Sequence, residues 1–263
     1  MKFGCGAMCA VLLFVAVVIP GFAGGSGESS SDLKDIRKAD VLKVGVKSDV
    51  PQFGFLNTTT NQYEGLEIEL AKLIAKDIFG NADKVAFTPV TAKTRGPLLD
   101  TGEVDIIIAT FTVTEERKLI YNFSSGYYTD AVGMMAKKAS NITGLKDCSG
   151  KIIGVAQSAT SRRAIHEAAE KLGVNIVFIE FATYPEVKAA LDSGRVDIFS
   201  VDKSILNGYL GSSDIILPDA FSPQEYGIAS KLGNKALAGH IDKLIQKWLK
   251  DGTIEALVKK FEL

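Results

Sequence analysis

The chain has 263 residues, of which 46% are hydrophobic, and its formal net charge is −1. This length supplies enough apolar surface for one large domain or two smaller ones. The nearly balanced charge argues against nucleic acid or an anionic membrane as the main partner.

The first 23 residues have the pattern of a secretory signal peptide. Lys2 precedes an apolar run over residues 10–20, and residues 21–23 (GFA) form a small-x-small cleavage site. The apolar run is too short to span a bilayer. The sequence therefore predicts an exported protein, located in the periplasm or at the cell surface, with a polar spacer over residues 24–40.

The cysteine content predicts no internal disulfide in the mature chain. Cys5 and Cys9 belong to the predicted leader, so the mature chain keeps only Cys148. A single thiol cannot close an internal disulfide, and no metal-ligand spacing surrounds it.

Strands and helices alternate along the rest of the chain. A charged segment over residues 32–40 predicts a short leading helix. Runs rich in β-branched residues predict eight strands, over residues 41–46, 84–90, 105–110, 132–136, 151–156, 176–181, 197–201 and 226–230. Helical spacing and stop signals predict helices over residues 66–79, from Pro97, from residues 160–161 to Leu172, from Pro185 towards Gly194, and two within residues 235–263, broken at residues 251–252.

One segment occurs twice in the chain. Residues 99–106 (LDTGEVDI) return as residues 191–198 (LDSGRVDI), and residues 43–46 (KVGV) resemble residues 152–155 (IIGV). In each copy an amphipathic run stops at glycine and a buried strand begins at Val-Asp-Ile. The repeat predicts an α/β fold with two similar lobes and mainly parallel central sheets, with a ligand site between the lobes.

The chain must cross between these lobes more than once, because the helical tail needs a sheet to pack on. We expect crossings near residues 126–131 and 218–223. The predicted domains are a first lobe over residues 41–128 and 222–263, and a second lobe over residues 131–219. Two crossings make a hinge on which the lobes can close.

The predicted strand ends collect charged side chains. Ligands of parallel sheets bind beyond the carboxyl ends of the strands. Those ends carry Lys47, Arg95 and Arg117 on the first lobe and Asp202 on the second. Arginine pairs with carboxylates in a bidentate manner, and an aspartate accepts from an ammonium group. The set predicts a dicarboxylic α-amino acid as ligand, although Asp202 could instead cap the helix that follows it.

Enzyme motifs are missing from the sequence. It has two histidines, no G-x-S-x-G, no Cys/His pair and no metal-ligand spacing. We therefore predict a protein that is not an enzyme and needs no metal or cofactor. Glu115 and Glu116 are the strand-end acids that could serve a dehydratase-type enzyme, but acids in the first turn of a helix are expected on electrostatic grounds alone.

Four segments in order resemble a known family, the polar amino acid-binding proteins of bacterial ABC importers. The segments are residues 44–46 (VGV), 65–70 (GLEIEL), 110–117 (TFTVTEER) and 121–128 (YNFSSGYY). The resemblance covers about residues 41–263. It implies the type II periplasmic binding protein fold, a monomer, and an inner-membrane ABC permease as partner.

Within that family the chain is most similar to the aspartate/glutamate-binding members, which include adhesin-type surface antigens. Lys47 and residues 92–100 (AKTRGPLLD) and 200–206 (SVDKSIL) carry this similarity. It implies L-aspartate or L-glutamate as the ligand. A receptor for another polar amino acid such as glutamine, a surface adhesin and a dehydratase-type enzyme on the same fold are the alternatives.

The resemblance also implies roles for individual residues. Arg117, with Thr110 and Thr112, would hold the ligand α-carboxylate, and Asp202 would take the α-ammonium.

The remaining implied contacts concern the ligand side chain. Lys47 and Arg95 would share its carboxylate, and Thr160 and Tyr184 would donate hydrogen bonds from the second lobe. Where relatives stack an aromatic ring on the ligand, this chain has Val50 or Phe53.

Overall fold

The computed structural model describes Met1 and residues 33–263 of the chain. Apart from Met1, the predicted signal peptide lies outside the described residues. The helices are α1 Leu33–Ala39, α2 Leu66–Phe79, α3 Arg95–Thr101, α4 Glu115–Lys118, α5 Ser161–Leu172, α6 Tyr184–Asp192, α7 Lys203–Tyr209, α8 Lys235–Lys250 and α9 Thr253–Lys260. Helix α3 begins two residues before Pro97. Within residues 33–263 no helix is long and apolar enough to cross a bilayer.

The strands overlap all eight predicted regions, the last of which is divided between two strands, and several further strands occur. They are β1 Leu42–Val46, β2 Asp49–Val50, β3 Gly54–Asn57, β4 Gln62–Glu64, β5 Val85–Pro89, β6 Ile106–Ile108, β7 Tyr121–Phe123, β8 Tyr128–Lys137, β9 Ile152–Ala156, β10 Val177–Phe181, β11 Ile198–Asp202, β12 Asp214–Ile216, β13 Phe221–Tyr226 and β14 Ala229–Lys231. Strands β2, β3 and β4 form a small antiparallel sheet of their own.

Two mixed sheets form the centres of two lobes. The first has the order β5-β1-β6-β14-β7, and the second has the order β10-β9-β11-β8-β12 with β13 paired to β8. The three strands at one side of each sheet are parallel, because helices connect them. The other pairings are antiparallel, so the parallel arrangement is confined to about half of each sheet.

The repeated segment forms the same structure in both lobes. Asp105 precedes β6, and its Oδ2 accepts from the backbone N–H of Lys43 on β1 at 2.9 Å. Asp197 precedes β11, and its Oδ2 accepts from the backbone N–H of Ile152 on β9 at 2.8 Å. Each aspartate thus ties the end of a repeat to the strand that opens its lobe.

Strands β8 and β13 run between the lobes as an antiparallel pair, with Tyr128 opposite Tyr226. The predicted single strand over residues 226–230 is wrong, since β13 ends at Tyr226 and β14 begins at Ala229 in the other sheet. The chain changes sheets at Gly227, where a Cβ would lie 2.8 Å from Cγ2 of Val113. This close approach leaves no room for a side chain at the change of sheet.

Cys148 is buried in the second lobe, and its Sγ donates to the carbonyl of Gly144 at 3.3 Å. Burial raises the pKa of this thiol to about 11, so it is protonated at neutral pH. Within residues 33–263 Cys148 forms no disulfide.

Candidate functional site

The candidate site lies where the two lobes meet. Lys47 follows β1 of the first lobe and Asp202 ends β11 of the second, and both side chains are buried. The structure brings all eight residues predicted from the sequence to this interface or its edge. Lobe contact is direct, since Nη2 of Arg117 donates to the backbone carbonyl of Ser158 across the cleft at 3.2 Å.

Arg95 is a buried cation at the start of α3. Its Nη1 donates to the carbonyls of Ala109 and Thr110 at 2.7 and 3.2 Å, and its guanidinium lies 3.9 Å from the ring centroid of Phe111. Burial lowers the pKa of this guanidinium. No carboxylate of the described residues comes within 4.0 Å of its nitrogens. Arg95 therefore donates to neutral groups and forms no salt bridge within the described structure, while Glu67 and Asp202 stabilise its charge at longer range.

Arg117 carries a second guanidinium that, within the described structure, bonds only to backbone carbonyls. Its Nη1 donates to the carbonyl of Thr112 at 2.7 Å, and its guanidinium lies 4.7 Å from the Phe111 ring centroid. Burial, Arg95 and Arg163 lower the pKa of Arg117 to about 9, which leaves it charged at neutral pH. Among residues 33–263 it has no carboxylate within salt-bridge distance.

Lys47 differs from the two arginines because it has an acidic partner. Its Nζ lies 3.0 Å from Oδ1 of Asp49 and 4.5 Å from the ring centroid of Tyr184. Burial lowers the pKa of the Lys47 ammonium, while Asp49 opposes that effect. Tyr184 itself begins α6, behind a capping box formed by Thr183 and Glu186.

Asp202 is buried and paired with a tyrosine. The hydroxyl of Tyr226 donates to Oδ2 of Asp202. Burial raises the pKa of this carboxyl to about 7. Asp202 makes no capping bond to α7, because Oδ2 of Asp130 accepts from the backbone N–H of Ser204 at 2.9 Å instead. The alternative role of Asp202 as a helix cap is therefore not the one in the structure.

Thr112 and Thr160 meet on a residue that the sequence did not single out. Their hydroxyls donate to Oε1 of Gln224 at 2.9 and 2.6 Å, from opposite lobes. Gln224 lies on the hinge strand β13 and is 1% exposed. In this conformation the two hydroxyls hydrogen-bond both lobes to the hinge strand. The argument from strand ends could not predict these hydrogen bonds.

Glu67 is the second site residue that sequence reasoning missed. It lies in the first turn of α2, is 0% exposed, and accepts from the backbone N–H of Thr110 at 2.5 Å and from the hydroxyl of Tyr127 at 2.6 Å. Burial raises the pKa of its carboxyl to about 7. A signal was present, because Glu67 shares the apolar face of α2 with Leu70 and Ile74.

Besides Oδ1 of Asp49, which is ion-paired with Lys47, three buried polar atoms at the site lack a hydrogen-bond partner among the described residues. They are Nε of Arg95, Oγ1 of Thr110 and Oε2 of Glu67. Buried polar groups are almost always paired, so their clustering indicates the place of a polar ligand.

Val50 and Phe53, the residues considered for an aromatic clamp, are fully buried. The ring of Phe53 packs edge-on against Tyr128 and Tyr226 within the protein. The ring beside the two arginines is that of Phe111 instead.

The two acids that the sequence offered for a dehydratase-type enzyme lie at the exposed edge of the cleft. Glu115 and Glu116 are exposed and form ion pairs with Lys118 and Arg163. His166 is exposed on α5, beside Glu170. Within the described part of the chain no cluster of three or more potential ligands suits a metal ion.

Comparison with known proteins gives a match over nearly all of the described lobes. The family model described as bacterial extracellular solute-binding proteins, family 3, matches residues 42–262. An ABC transporter glutamine-binding protein, GlnH of Bacillus subtilis, is 35% identical over 262 residues, which cover 95% of this chain and 94% of the relative.

Two further relatives have different ligands in their names. An L-glutamate/L-aspartate-binding protein of Pseudomonas aeruginosa is 27% identical, over 97% of this chain and 85% of the relative. The structure of an ancestral arginine-binding protein bound to arginine is 33% identical, with a TM-score of 0.76 over 84% of this chain and 98% of that one. The three names span neutral, acidic and basic amino acids.

Proposed function

Because the chain belongs to the bacterial extracellular solute-binding proteins of family 3, we propose that it is an extracytoplasmic receptor for L-aspartate or L-glutamate that supplies an ABC permease. The chain binds its ligand by closing two lobes and makes or breaks no bond. Glu115 and Glu116 are exposed and ion-paired with Lys118 and Arg163, which supports a receptor over a dehydratase-type enzyme that uses either acid.

The main observation in favour of an acidic ligand is that two guanidiniums at the site form no salt bridge with the described residues. Arg95 and Arg117 donate only to backbone carbonyls, and within residues 33–263 neither has a carboxylate partner. A ligand with two carboxylates gives each arginine a charged partner and a bidentate geometry. A ligand with one carboxylate leaves one cation desolvated and unmatched, which costs about 2–5 kcal/mol.

The opposite charge of an amino acid also has a partner. Asp202 lies on the second lobe with one oxygen already bonded to Tyr226, and an α-ammonium would favour its ionised form. An amino acid that spans Arg117 and Asp202 would link the two lobes, which stabilises the closed arrangement.

Glutamine is the second candidate, favoured by the relative from Bacillus subtilis. Asp49 pairs with Lys47, and Glu67 lies close enough to Lys47 and Arg95 to stabilise their charged forms. These two acids offset part of the positive charge that the strand-end count attributed to the first lobe. The preferred ligand therefore depends on whether Glu67 is ionised, and burial raises the pKa of its carboxyl to about 7.

A titration with three ligands tests the proposal. We expect L-aspartate or L-glutamate to bind the wild-type protein at least about tenfold more tightly than L-glutamine in calorimetry. Lys47→Met removes a buried cation and shortens the side chain by only one atom. It should weaken the acidic ligands about 30-fold or more and leave glutamine within about threefold.

Lys43→Met is the matched control, because Lys43 is on the exposed face of the same strand. Its affinities should equal those of the wild type. A wild-type preference for glutamine would overturn the acidic ligand, and the absence of binding to any amino acid would overturn the receptor itself.

A further inference from the structure

The backbone of Thr110 is strained at the centre of the site. Its φ is +43°, in the left-handed region that β-branched residues avoid. Thr110 follows β6 at the carboxyl end of the first sheet and is 4% exposed. Strained backbone persists only where the surrounding structure holds it.

Two buried ionisable side chains bond the backbone of Thr110, one at its N–H and one at its carbonyl. Oε1 of Glu67 accepts from the N–H of Thr110 at 2.5 Å. Nη1 of Arg95 donates to the Thr110 carbonyl at 3.2 Å and to the preceding carbonyl of Ala109 at 2.7 Å. Tyr127 fixes Glu67 in turn, since its hydroxyl donates to the same Oε1 at 2.6 Å.

In this arrangement the hydroxyl of Thr110 has no hydrogen-bond partner in the described protein. Oγ1 of Thr110 is buried and has no partner among residues 33–263, and Nε of Arg95 shares that condition. Both groups lie in the hydrogen-bonded cluster formed by Glu67, Arg95 and the backbone of Thr110.

We propose that Glu67 is a positioning residue of the ligand site. By accepting the Thr110 N–H, it fixes the left-handed backbone that keeps the Thr110 hydroxyl in the cleft, where it bonds the ligand. This inference rests on the proposed function in one respect, that an amino acid occupies the cleft. Glu67 itself acts through Thr110 and needs no contact with the ligand.

A double-mutant cycle tests whether Glu67 acts through Thr110. The variants are Glu67→Ala, Thr110→Gly and the double variant, titrated in a calorimeter with L-aspartate, L-glutamate and L-glutamine. Glu67→Ala alone should weaken the best ligand about tenfold or more. In the Thr110→Gly background the same change should weaken it less than about twofold, because glycine adopts positive φ unaided and has no hydroxyl to place.

Glu67→Gln provides the rescue. Its amide oxygen can accept from the same N–H and from Tyr127, so its affinity should stay within about threefold of the wild type. Should Glu67→Ala fail to fold, Tyr127→Phe replaces it, since it removes the other bond to Glu67 and leaves the packing intact. Its loss of affinity should likewise vanish in the Thr110→Gly background.

Two results would overturn the inference. Equal losses from Glu67→Ala with threonine and with glycine at position 110 would show that Glu67 acts independently of Thr110. A Glu67→Gln variant as weak as Glu67→Ala would show that the charge, and not the accepted hydrogen bond, matters. Failure of the wild type to bind any of the three amino acids would instead refute the proposed function.

Discussion

At the scale of single residues, the site contains two buried carboxyls that are each bonded to a tyrosine. Glu67 accepts from Tyr127 and Asp202 accepts from Tyr226. Burial raises the pKa of both carboxyls to about 7. The charge of the unliganded cleft therefore changes around neutral pH, when these two groups lose their protons.

Asp202→Asn should alter the pH dependence of stability in the ligand-free protein. The folded pKa of Asp202 is about 7 and the ordinary value is 3.8, so between these values the folded state holds more protons than the unfolded state. The free energy of unfolding of the wild type then falls as pH rises from about 4 to 7. Asparagine does not titrate in this range. The free energy of unfolding of the variant should therefore rise, relative to that of the wild type, by about 2–4 kcal/mol between pH 4 and 7.

Chemical denaturation at pH 4 to 8 measures this difference. Asp83→Asn, at an exposed position, should follow the wild-type curve. A difference between Asp202→Asn and the wild type that is independent of pH would contradict the raised pKa.

At the scale of secondary-structure elements, the repeated strand–helix–strand unit gives each lobe the same internal tie. Asp105 and Asp197 occupy the same position before β6 and β11, and each bonds the backbone of the strand that opens its lobe. The glycine of that strand is also matched. A Cβ at Gly45 would lie 3.6 Å from Cγ2 of Val104, and one at Gly154 would lie 3.2 Å from Cγ2 of Val196, the matching valine of the repeat. These contacts explain why two short motifs recur together.

Asp197→Ala should destabilise the second lobe. The variant leaves the N–H of Ile152 without the carboxylate that it donates to at 2.8 Å, and such a loss costs about 1–2 kcal/mol at a partly exposed position. Denaturant titration followed by circular dichroism measures the change, with exposed Asp83→Ala as the matched control. An unfolding free energy equal to the control's would show that the tie adds nothing to stability.

At the scale of the whole molecule, the two lobes touch on more than one side of the cleft. Arg163 pairs with Glu116 at 2.8 Å, and the hydroxyl of Tyr209 donates to the carbonyl of Asp49. Beside Tyr209, a Cβ at Gly208 would lie 3.1 Å from three ring atoms of Pro51. The described structure is therefore a closed arrangement, in which α7 of the second lobe packs on the β2 turn of the first.

Gly208→Leu should weaken ligand binding by keeping the lobes apart. Its side chain would occupy the space of Pro51 in the closed form alone, so the affinity for the best amino acid should fall about tenfold or more. Calorimetry and small-angle scattering with saturating ligand measure affinity and closure.

Gly239→Leu is the control, since a Cβ at Gly239 on α8 meets nothing within 4 Å. Wild-type affinity and wild-type compaction in Gly208→Leu would show that this contact does not form in the liganded protein.

Sequence patterns alone determined the two-lobe α/β fold and the cations at the strand ends. The repeat, the apolar runs and the glycine stops are local signals, and a parallel sheet brings its strand ends to one edge whatever the side chains are. Strands of two to four residues, such as those over residues 49–64, carry too little pattern to be read in this way.

Only the tertiary structure decided which polar groups face one another. Glu67 meets Thr110 across 43 positions of sequence, and Thr112 meets Gln224 across 112. The same holds for the cap of α7, which comes from Asp130 and leaves Asp202 to Tyr226. A desolvated polar group needs a hydrogen-bond partner, and the packing of the two lobes determines which partners lie within reach.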